Sequence, residues 1–293
     1  MNKEQQLIGG ANSVFKIEKA ILRKIPLNYE IIGKENLNKI RQLLIEGSTV
    51  VAVLDHRSYA DTASGGIITF KENFDDLLKN AVFIIKLKYL EKFPTKQILK
   101  SIRVIPVVSP TMVNHPRQNE INRSALRTAR NLDNGTLIVL TPEATRIKSG
   151  KMEKARKETA SFWHSNNQIH LFPIAVEGTE KQWPSGTLGT LKYWTGIGPI
   201  FSKARFIFGE PIRVDKLKSL VVACNDGDRH NNKQFEVDLA MRQIAILHHT
   251  YGNPFYAKGS YYDSFMENLS KLSWLFLKPE KINKNQHVSK AER

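Results

Sequence analysis

A histidine and an aspartate five residues apart, His56 and Asp61, form the first group in this sequence able to move a proton. They follow the apolar run 49–54, which has the length and β-branched composition of a buried strand. If His56 ends that strand, the following turn can bring the Asp61 carboxylate onto the imidazole. Asp61 would then fix one tautomer, and the other ring nitrogen could deprotonate a hydroxyl. Taken alone, the pair also fits a simple turn before a helix.

A second polar stretch follows the strand-like run 136–140 and has the sequence Pro-Glu-Ala-Thr-Arg over residues 142–146. The planar guanidinium of Arg146 suits a phosphate or a carboxylate. Glu143 could orient that arginine or accept hydrogen bonds from substrate hydroxyls. The sequence therefore predicts an anion-binding group at the end of this strand.

Short β-branched runs alternate with helical patterns along most of the chain, which is typical of an α/β domain. The strand-like runs lie at 49–54, 81–86, 103–108, 136–141, 169–176 and 204–208. Helical patterns fill most of the intervals, for example at 120–132 and 153–165. Since the connections are long enough for parallel pairing, we predict a mixed, mostly parallel twisted sheet flanked by helices. The usual active site of such a sheet lies at the carboxyl ends of its strands.

The polar motifs, in this order, resemble those of the glycerophospholipid acyltransferase family, which includes the 1-acyl-glycerol-3-phosphate acyltransferases. The family's first motif is His-x4-Asp with a serine two residues after the histidine, and His56, Ser58 and Asp61 match it. Asp55 stands where the family usually has asparagine. The third motif, Pro-Glu-Gly-Thr-Arg, is matched with Ala144 in place of glycine.

The second motif of that family departs most from its usual pattern here. The run 102–108 resembles the corresponding strand, but Ser109 stands where an arginine is expected. Arg103, Lys86 and Lys88 are the nearby cations that we expect to supply the missing charge.

The fourth motif, an apolar strand containing proline, is matched by residues 172–175, and the whole resemblance covers residues 30–215. It implies transfer of a fatty acyl group from acyl-CoA or acyl-carrier protein to lysophosphatidic acid, with His56 as base and Asp61 orienting it. The alternatives are glycerol-3-phosphate, another lysophospholipid or another lipid as acceptor. No metal or cofactor is implied. The expected substrate-binding residues are Ser58, Lys86, Arg103, Glu143, Thr145 and Arg146.

The net charge of +16, from 44 Lys and Arg against 28 Asp and Glu, is concentrated in two segments. Residues 86–157 hold 16 basic and 5 acidic residues, a net charge of +11, and residues 271–293 hold 6 and 2, a net charge of +4. Such local charge indicates an anionic partner, which could be nucleic acid, a phosphorylated substrate or an anionic membrane surface. Because no helix-turn-helix, zinc-finger or RNA-recognition signature occurs, we expect no nucleic acid.

The sequence divides into three predicted parts. Residues 1–29 contain an amphipathic basic helix at 12–25, residues 30–223 form the acyltransferase domain, and residues 224–293 hold a polar loop, a helical segment and a basic tail. Both ends could contact an anionic membrane, since 12–25 and the Trp-, Leu- and Phe-rich segment 265–277 carry flanking lysines. Helices packed on the protein's own core are the alternative.

The expected location is cytoplasmic, peripheral to the inner face of a membrane. No run approaches the roughly 18 apolar residues needed for a transmembrane helix, and no secretory signal is recognisable. The single cysteine, Cys224, excludes an intramolecular disulfide and suits a reducing compartment. The remaining histidines lack the spacing of metal ligands, and His248 and His249 are expected to be a surface pair on a helix.

Overall fold

A computed structural model describes residues 23–24, 27–58, 61–90, 102–108, 116–144, 149–163, 168–182, 202–224 and 232–263. The strands are β1 (Tyr29–Ile32), β2 (Thr49–Leu54), β3 (Ala81–Lys86), β4 (Arg103–Val107), β5 (Leu137–Leu140), β6 (Ile169–Glu177), β7 (Ala204–Phe208) and β8 (Ile212–Arg213). The α-helices are α1 (Lys34–Ile45), α2 (Asp61–Lys71), α3 (Asp75–Lys79), α4 (Leu87–Leu90), α5 (Gln118–Arg130), α6 (Thr179–Gln182), α7 (Val214–Cys224) and α8 (Asn232–Tyr251). Short 3-10 helices lie at Lys157–Phe162 and Pro254–Tyr256.

The strands form one mixed, mostly parallel sheet in the order β1-β7-β6-β2-β5-β3-β4, with β8 paired to β6. The central strand β2 is parallel to both neighbours, β5 and β6, and β3 is parallel to β5 and β4. Only the pairings of β6 with β7 and with β8 are antiparallel among the described strands. Strands β2 to β6 therefore all end on one side of the sheet, here called its carboxyl end.

The predicted α/β fold is confirmed. Strands β2, β3 and β7 have the bounds expected from their β-branched runs. Strands β4 and β6 differ from the expected bounds by one residue at one end, and β5 is one residue shorter at each end. Strands β1 and β8, of four and two residues, were not expected because they are too short to show a pattern.

The helical pattern at 153–165 is wrong at its start. Residues 153–156 have no regular secondary structure, and Lys157–Phe162 form a 3-10 helix. The backbone N–H of Glu153 donates to Glu143 (N to Oε1, 3.4 Å), that of Ala155 to the Tyr262 hydroxyl (2.8 Å), and that of Arg156 to a carbonyl oxygen. These tertiary contacts fix the path of the chain ahead of the 3-10 helix.

Alternate side chains of β2 enter two different hydrophobic clusters, and all six residues of the strand are buried. Val51 and Val53 face a cluster that includes side chains of α7 and α8. Val50, Ala52 and Leu54 face a cluster that includes side chains of α1 and α2. Helices therefore cover both faces of the central strand, as its uninterrupted apolar sequence requires.

Helix α8 packs on the sheet with β6 and contributes buried residues to the core. The predicted division of the chain at residues 223 and 224 stays a prediction. Of the amphipathic helix expected at 12–25, only residues 23 and 24 are described, and the segment 265–277 and the basic tail lie outside the described residues. Within the described ranges, no helix has both the length and the apolar character needed to cross a bilayer.

Candidate active site

His56 and Asp61 are in contact where β2 gives way to α2. His56 Nδ1 lies 2.9 Å from Asp61 Oδ2. The same oxygen accepts the backbone N–H groups of Arg57 (2.7 Å) and Ser58 (2.8 Å). Asp61 Oδ1 accepts the Thr179 hydroxyl at 2.5 Å. Four donors therefore hold a carboxylate that is itself buried.

This arrangement fixes the roles of the two ring nitrogens of His56. A carboxylate accepts hydrogen bonds, so in the neutral imidazole Nδ1 carries the proton that Asp61 receives, and Nε2 keeps a lone pair. The His56 side chain is 22% exposed, whereas that of Asp61 is 1% exposed. The imidazole can therefore meet a substrate while its partner stays out of water, which is the geometry of a general base with an orienting carboxylate.

Glu143 supports His56 from the neighbouring strand. It follows β5, whose pairing of Leu140 with Val53 brings the ends of β5 and β2 side by side. Its Oε2 accepts the backbone N–H of His56 at 2.8 Å, and the residue is 1% exposed. Burial, and then the negative charge of Asp55, raise the pKa of Glu143 well above its ordinary value. Glu143 therefore carries its charge less readily than an exposed glutamate, and its hydrogen bond holds the His56 backbone in place.

The expected pairing of Glu143 with Arg146 stays a prediction, because Thr145 and Arg146 lie outside the described residues. The described contacts of Glu143 go instead to backbone N–H groups of His56 and Glu153. Because Glu143 is buried, its carboxyl group is not exposed to accept hydrogen bonds from substrate hydroxyls.

Ala144 has a left-handed backbone conformation, with φ of +54°. This region is unfavourable for any residue with a Cβ atom, and glycine adopts it at little steric cost. The glycine usual at this position in the resembled motif therefore has a conformational reason, and alanine here places strain next to Glu143.

The other predicted site residues are divided between the two ends of the sheet. Lys86 ends β3 at the carboxyl end, on the same side as His56, and Ser58 lies buried beside Asp61. Arg103 begins β4, where it pairs with Val82 at the opposite, amino end. A strand's length thus separates Arg103 from His56, so the structure does not bring Arg103 into this site. Ser109 lies outside the described residues.

A family model described as Acyltransferase matches residues 28–177, about half of the chain. This chain belongs to the acyltransferase family. The match contains β1 to β6 and both polar stretches at the strand ends, so the assignment supports acyl transfer in lipid biosynthesis. A comparison with curated proteins found no match.

The structure of this acyltransferase also contains a buried group of charges that sequence reasoning missed. Asp55 Oδ2 accepts from Arg57 Nε at 2.6 Å and lies 3.1 Å from His248 Nε2, while Oδ1 accepts the Val176 N–H at 2.8 Å. Burial alone would raise the pKa of Asp55, but the charges of Arg57 and His248 outweigh it and lower the pKa to about 2. The aspartate at this position is therefore a fixed charge between two cations.

The expectation of a surface histidine pair is wrong for His248, which is fully buried, and holds for His249, which is exposed near Asp263. The sequence did contain a pattern that indicates burial of His248. His248 continues a helical stripe of buried residues with Ile244 and Met241, at spacings of four and three. Among the described residues, no cluster of three or more His, Cys, Asp or Glu side chains is arranged to hold a metal ion.

The strain at Ala144 predicts that Ala144→Gly stabilises the protein. The left-handed conformation costs about 1–2 kcal/mol for a non-glycine residue, and the extra freedom of glycine in the unfolded chain costs about 0.5–1 kcal/mol. We expect the free energy of unfolding to rise by about 0.5–1 kcal/mol, measured by urea denaturation. Ala125→Gly, inside helix α5, is the control and should lower it by about 1 kcal/mol. A less stable Ala144→Gly variant would contradict the strain.

The charges around Asp55 predict a window of pH for their stabilising effect. The pKa of Asp55 is below its ordinary value of 3.8, so its contribution is complete above about pH 4 and is lost as the pH falls towards about 2. Burial lowers the pKa of His248, but Asp55 and Glu177 outweigh it and raise the pKa above 6.5, so that contribution is lost as the pH rises beyond 6.5.

We therefore expect Asp55→Asn to lower the free energy of unfolding most between about pH 4 and 6.5, by about 3 kcal/mol, because it leaves buried cations without their carboxylate. The difference from wild type should shrink at pH 3 and at pH 9, in urea denaturation at each pH. A difference that does not change with pH would show that the charges contribute nothing.

Proposed function

We propose that this acyltransferase moves a fatty acyl group from a thioester donor to the free hydroxyl of lysophosphatidic acid, giving phosphatidic acid. The observation that carries the proposal is the His56–Asp61 contact, which leaves Nε2 of an accessible imidazole as a proton acceptor. The chemistry needs only this pair and a positioned donor, in line with the family's acyl transfer.

In the proposed reaction, His56 Nε2 takes the proton of the acceptor hydroxyl as its oxygen attacks the thioester carbonyl. The carbon–oxygen bond of the new ester forms, and the carbon–sulfur bond breaks. The proton on Nε2 then passes to the departing thiolate, which leaves as the free thiol of CoA or of acyl-carrier protein. Asp61 stabilises the imidazolium that exists between the two proton transfers. His56 returns to its starting state, and no acyl-enzyme forms.

Arg146 is the proposed ligand of the acceptor phosphate, because its guanidinium fork can donate two parallel hydrogen bonds. Arg57 supports this placement indirectly. Its Nη1 donates to the carbonyl oxygen of Gly150 at 2.7 Å, which links the His56 turn to the chain just beyond residues 145–148. Lys86, at the carboxyl end of β3, is a second proposed cation for phosphates of the acceptor or the donor.

Contact with an anionic membrane is part of the proposal. Near the site, Phe255 is 55% exposed and Tyr261 is 38% exposed. Lys151 Nζ lies 5.7 Å from the ring centre of Phe255, and Lys154 Nζ lies 4.8 Å from that of Tyr261. Exposed aromatic rings beside lysines suit the interface of an anionic bilayer. This surface lies next to Gly150 and would place the site close to its lipid substrate.

Loss of the base should remove turnover without unfolding the protein. In His56→Ala we expect kcat to fall about 10²–10⁴-fold, with an unchanged circular dichroism spectrum. His170→Ala is the matched control, because His170 lies near the start of β6 at the amino end of the sheet. Release of free thiol from acyl-CoA with lysophosphatidic acid measures both variants. Wild-type activity in His56→Ala would refute the mechanism.

Loss of the residue that binds the phosphate should weaken binding of the acceptor and leave binding of the acyl donor unchanged. In Arg146→Gln we expect KM for lysophosphatidic acid to rise about tenfold or more, as for the loss of a charge-assisted hydrogen bond, with KM for acyl-CoA unchanged. Arg130→Gln, at the exposed end of helix α5, is the matched control. The same assay with glycerol-3-phosphate, lysophosphatidylethanolamine and monoacylglycerol ranks the acceptors. Equal use of monoacylglycerol and lysophosphatidic acid by the wild type would contradict a phosphate site.

A further inference from the structure

His248 on helix α8 makes two buried contacts that the proposed proton transfers do not use. Its side chain is 0% exposed. Nδ1 lies 2.8 Å from Glu177 Oε1, and Nε2 lies 3.1 Å from Asp55 Oδ2. Because carboxylates accept hydrogen bonds, these two contacts together favour a proton on each ring nitrogen, which is the imidazolium form of His248.

Two carboxylates face this imidazolium, and each also pairs with an arginine. Asp55 pairs with Arg57, and Glu177 pairs with Arg205. Arg57 Nη2 lies 3.4 Å from His248 Nε2, and the Asp55 carboxylate compensates both. The Tyr256 ring lies against both cations, with its centre 4.2 Å from the Arg57 guanidinium carbon and 5.3 Å from the His248 ring centre. Removing either charge of a buried pair leaves the other uncompensated.

This charge group holds both chain neighbours of His56. Asp55 comes immediately before His56 and is fixed by Val176 N–H as well as by the two cations. Arg57 comes immediately after it, and its backbone N–H donates to Asp61 Oδ2. A shift of the Asp55 carboxylate would therefore move the backbone that presents the imidazole to Asp61.

The chain around the end of α8 is shaped to keep Glu177 against the ring. A Cβ atom on Gly252 would lie 2.1 Å from Glu177 Oε1, so only glycine leaves that oxygen its place. The same oxygen accepts the backbone N–H of Asn253 at 2.7 Å, and Glu177 Oε2 accepts from Arg205 Nη1 at 2.9 Å. Since the family match ends at residue 177, His248 belongs to a part of the chain that the match does not cover.

We propose that His248 is a positioning residue for His56: as the cation shared by Asp55 and Glu177, it holds the end of β2 so that the imidazole stays on Asp61. His248 touches no reacting group. The proposal rests on the proposed acyl transfer, in which His56 is the base. It makes helix α8 part of the active-site scaffold, because the geometry of the His56–Asp61 pair depends on a charge from that helix.

The first test compares His248→Gln with His249→Gln. Glutamine keeps a hydrogen-bonding side chain but not the charge, and the exposed neighbour His249 receives the same substitution as the matched control. In His248→Gln we expect kcat to fall roughly ten- to a hundredfold, as for a misplaced base, with KM values unchanged. His249→Gln should retain wild-type kinetics. Equal kcat in the two variants would overturn the proposal.

The second test restores the charge balance. His248→Gln removes the cation between Asp55 and Glu177, which leaves Asp55 with Arg57 and Glu177 with Arg205. Adding Glu177→Gln removes the second carboxylate that faced His248, keeps an oxygen for the Asn253 N–H, and leaves the Asp55–Arg57 pair intact. We expect kcat of the double variant to exceed that of His248→Gln and to approach the wild-type value. Losses that simply multiply would show that His248 acts through packing and would refute its role as a compensating charge. If His248→Gln does not fold, the kinetics of the double variant still test the proposal.

The third test needs no substrate. In protein labelled with ¹⁵N-histidine, we expect both ring nitrogens of His248 to carry protons at pH 7, and neutral His56 to show one tautomer, with its proton on Nδ1. His248→Gln should show a mixture of His56 tautomers, whereas His249→Gln should not. A single proton on His248, or an unchanged His56 tautomer in His248→Gln, would overturn the proposal. If wild type acylates no acceptor, the proposed function fails and these spectra alone decide the role of His248.

Discussion

Carboxylates buried at the carboxyl end of the sheet must be stabilised without water, and the rest of this site is arranged around that requirement. An isolated buried carboxylate costs several kcal/mol, and three surround His56. Asp55 is compensated by Arg57 and His248. Burial and Asp55 raise the pKa of Glu143, and its two oxygens accept backbone N–H groups of His56 and Glu153. Asp61 is stabilised by hydrogen bonds from its neighbours. The three carboxyl groups around His56 are thus stabilised in three different ways.

Asp61 differs from Asp55 in a way that matters for chemistry. Among the described residues, its ion-pair partner is a histidine, His56, and not a lysine or arginine. The Asp61 charge therefore meets a full positive charge only when His56 takes the proton of the acceptor. An attraction that is strongest in that state lowers the barrier, whereas a permanent cation at Asp61 would compete with the imidazolium. The guanidinium of Arg57 pairs with Asp55, whereas Asp61 receives only the backbone N–H of Arg57. The structural charge of Asp55 is thus kept separate from the charge of Asp61 that acts on His56.

The sequence was sufficient for the central strands, which depend on local pattern. It was also sufficient for the His56–Asp61 contact, which the spacing allows and the motif resemblance singles out. A β-branched run defines a buried strand, and five residues of spacing allow a turn to close on the histidine. The partners of Asp55 could not be found in this way. His248 lies more than 190 residues further along the chain, and only the packing of α8 on β6 brings it to β2. Burial of Glu143 is likewise a tertiary effect, since its partners are backbone N–H groups of other segments.

Among the described residues of the basic segment 86–157, cations lie at both ends of the sheet. Lys86 ends β3 at the carboxyl end, whereas Arg103 begins β4 at the amino end, and α5 leads its C-terminal arginine, Arg130, back towards the start of β5. The six residues of β3 span about 20 Å, twice the screening length of about 8–10 Å at physiological salt. Cations at the amino end are therefore screened from a substrate at His56. Only charges at the carboxyl end can bind the phosphates of a substrate at His56. Any anionic partner of the amino-end cations must therefore be a different surface.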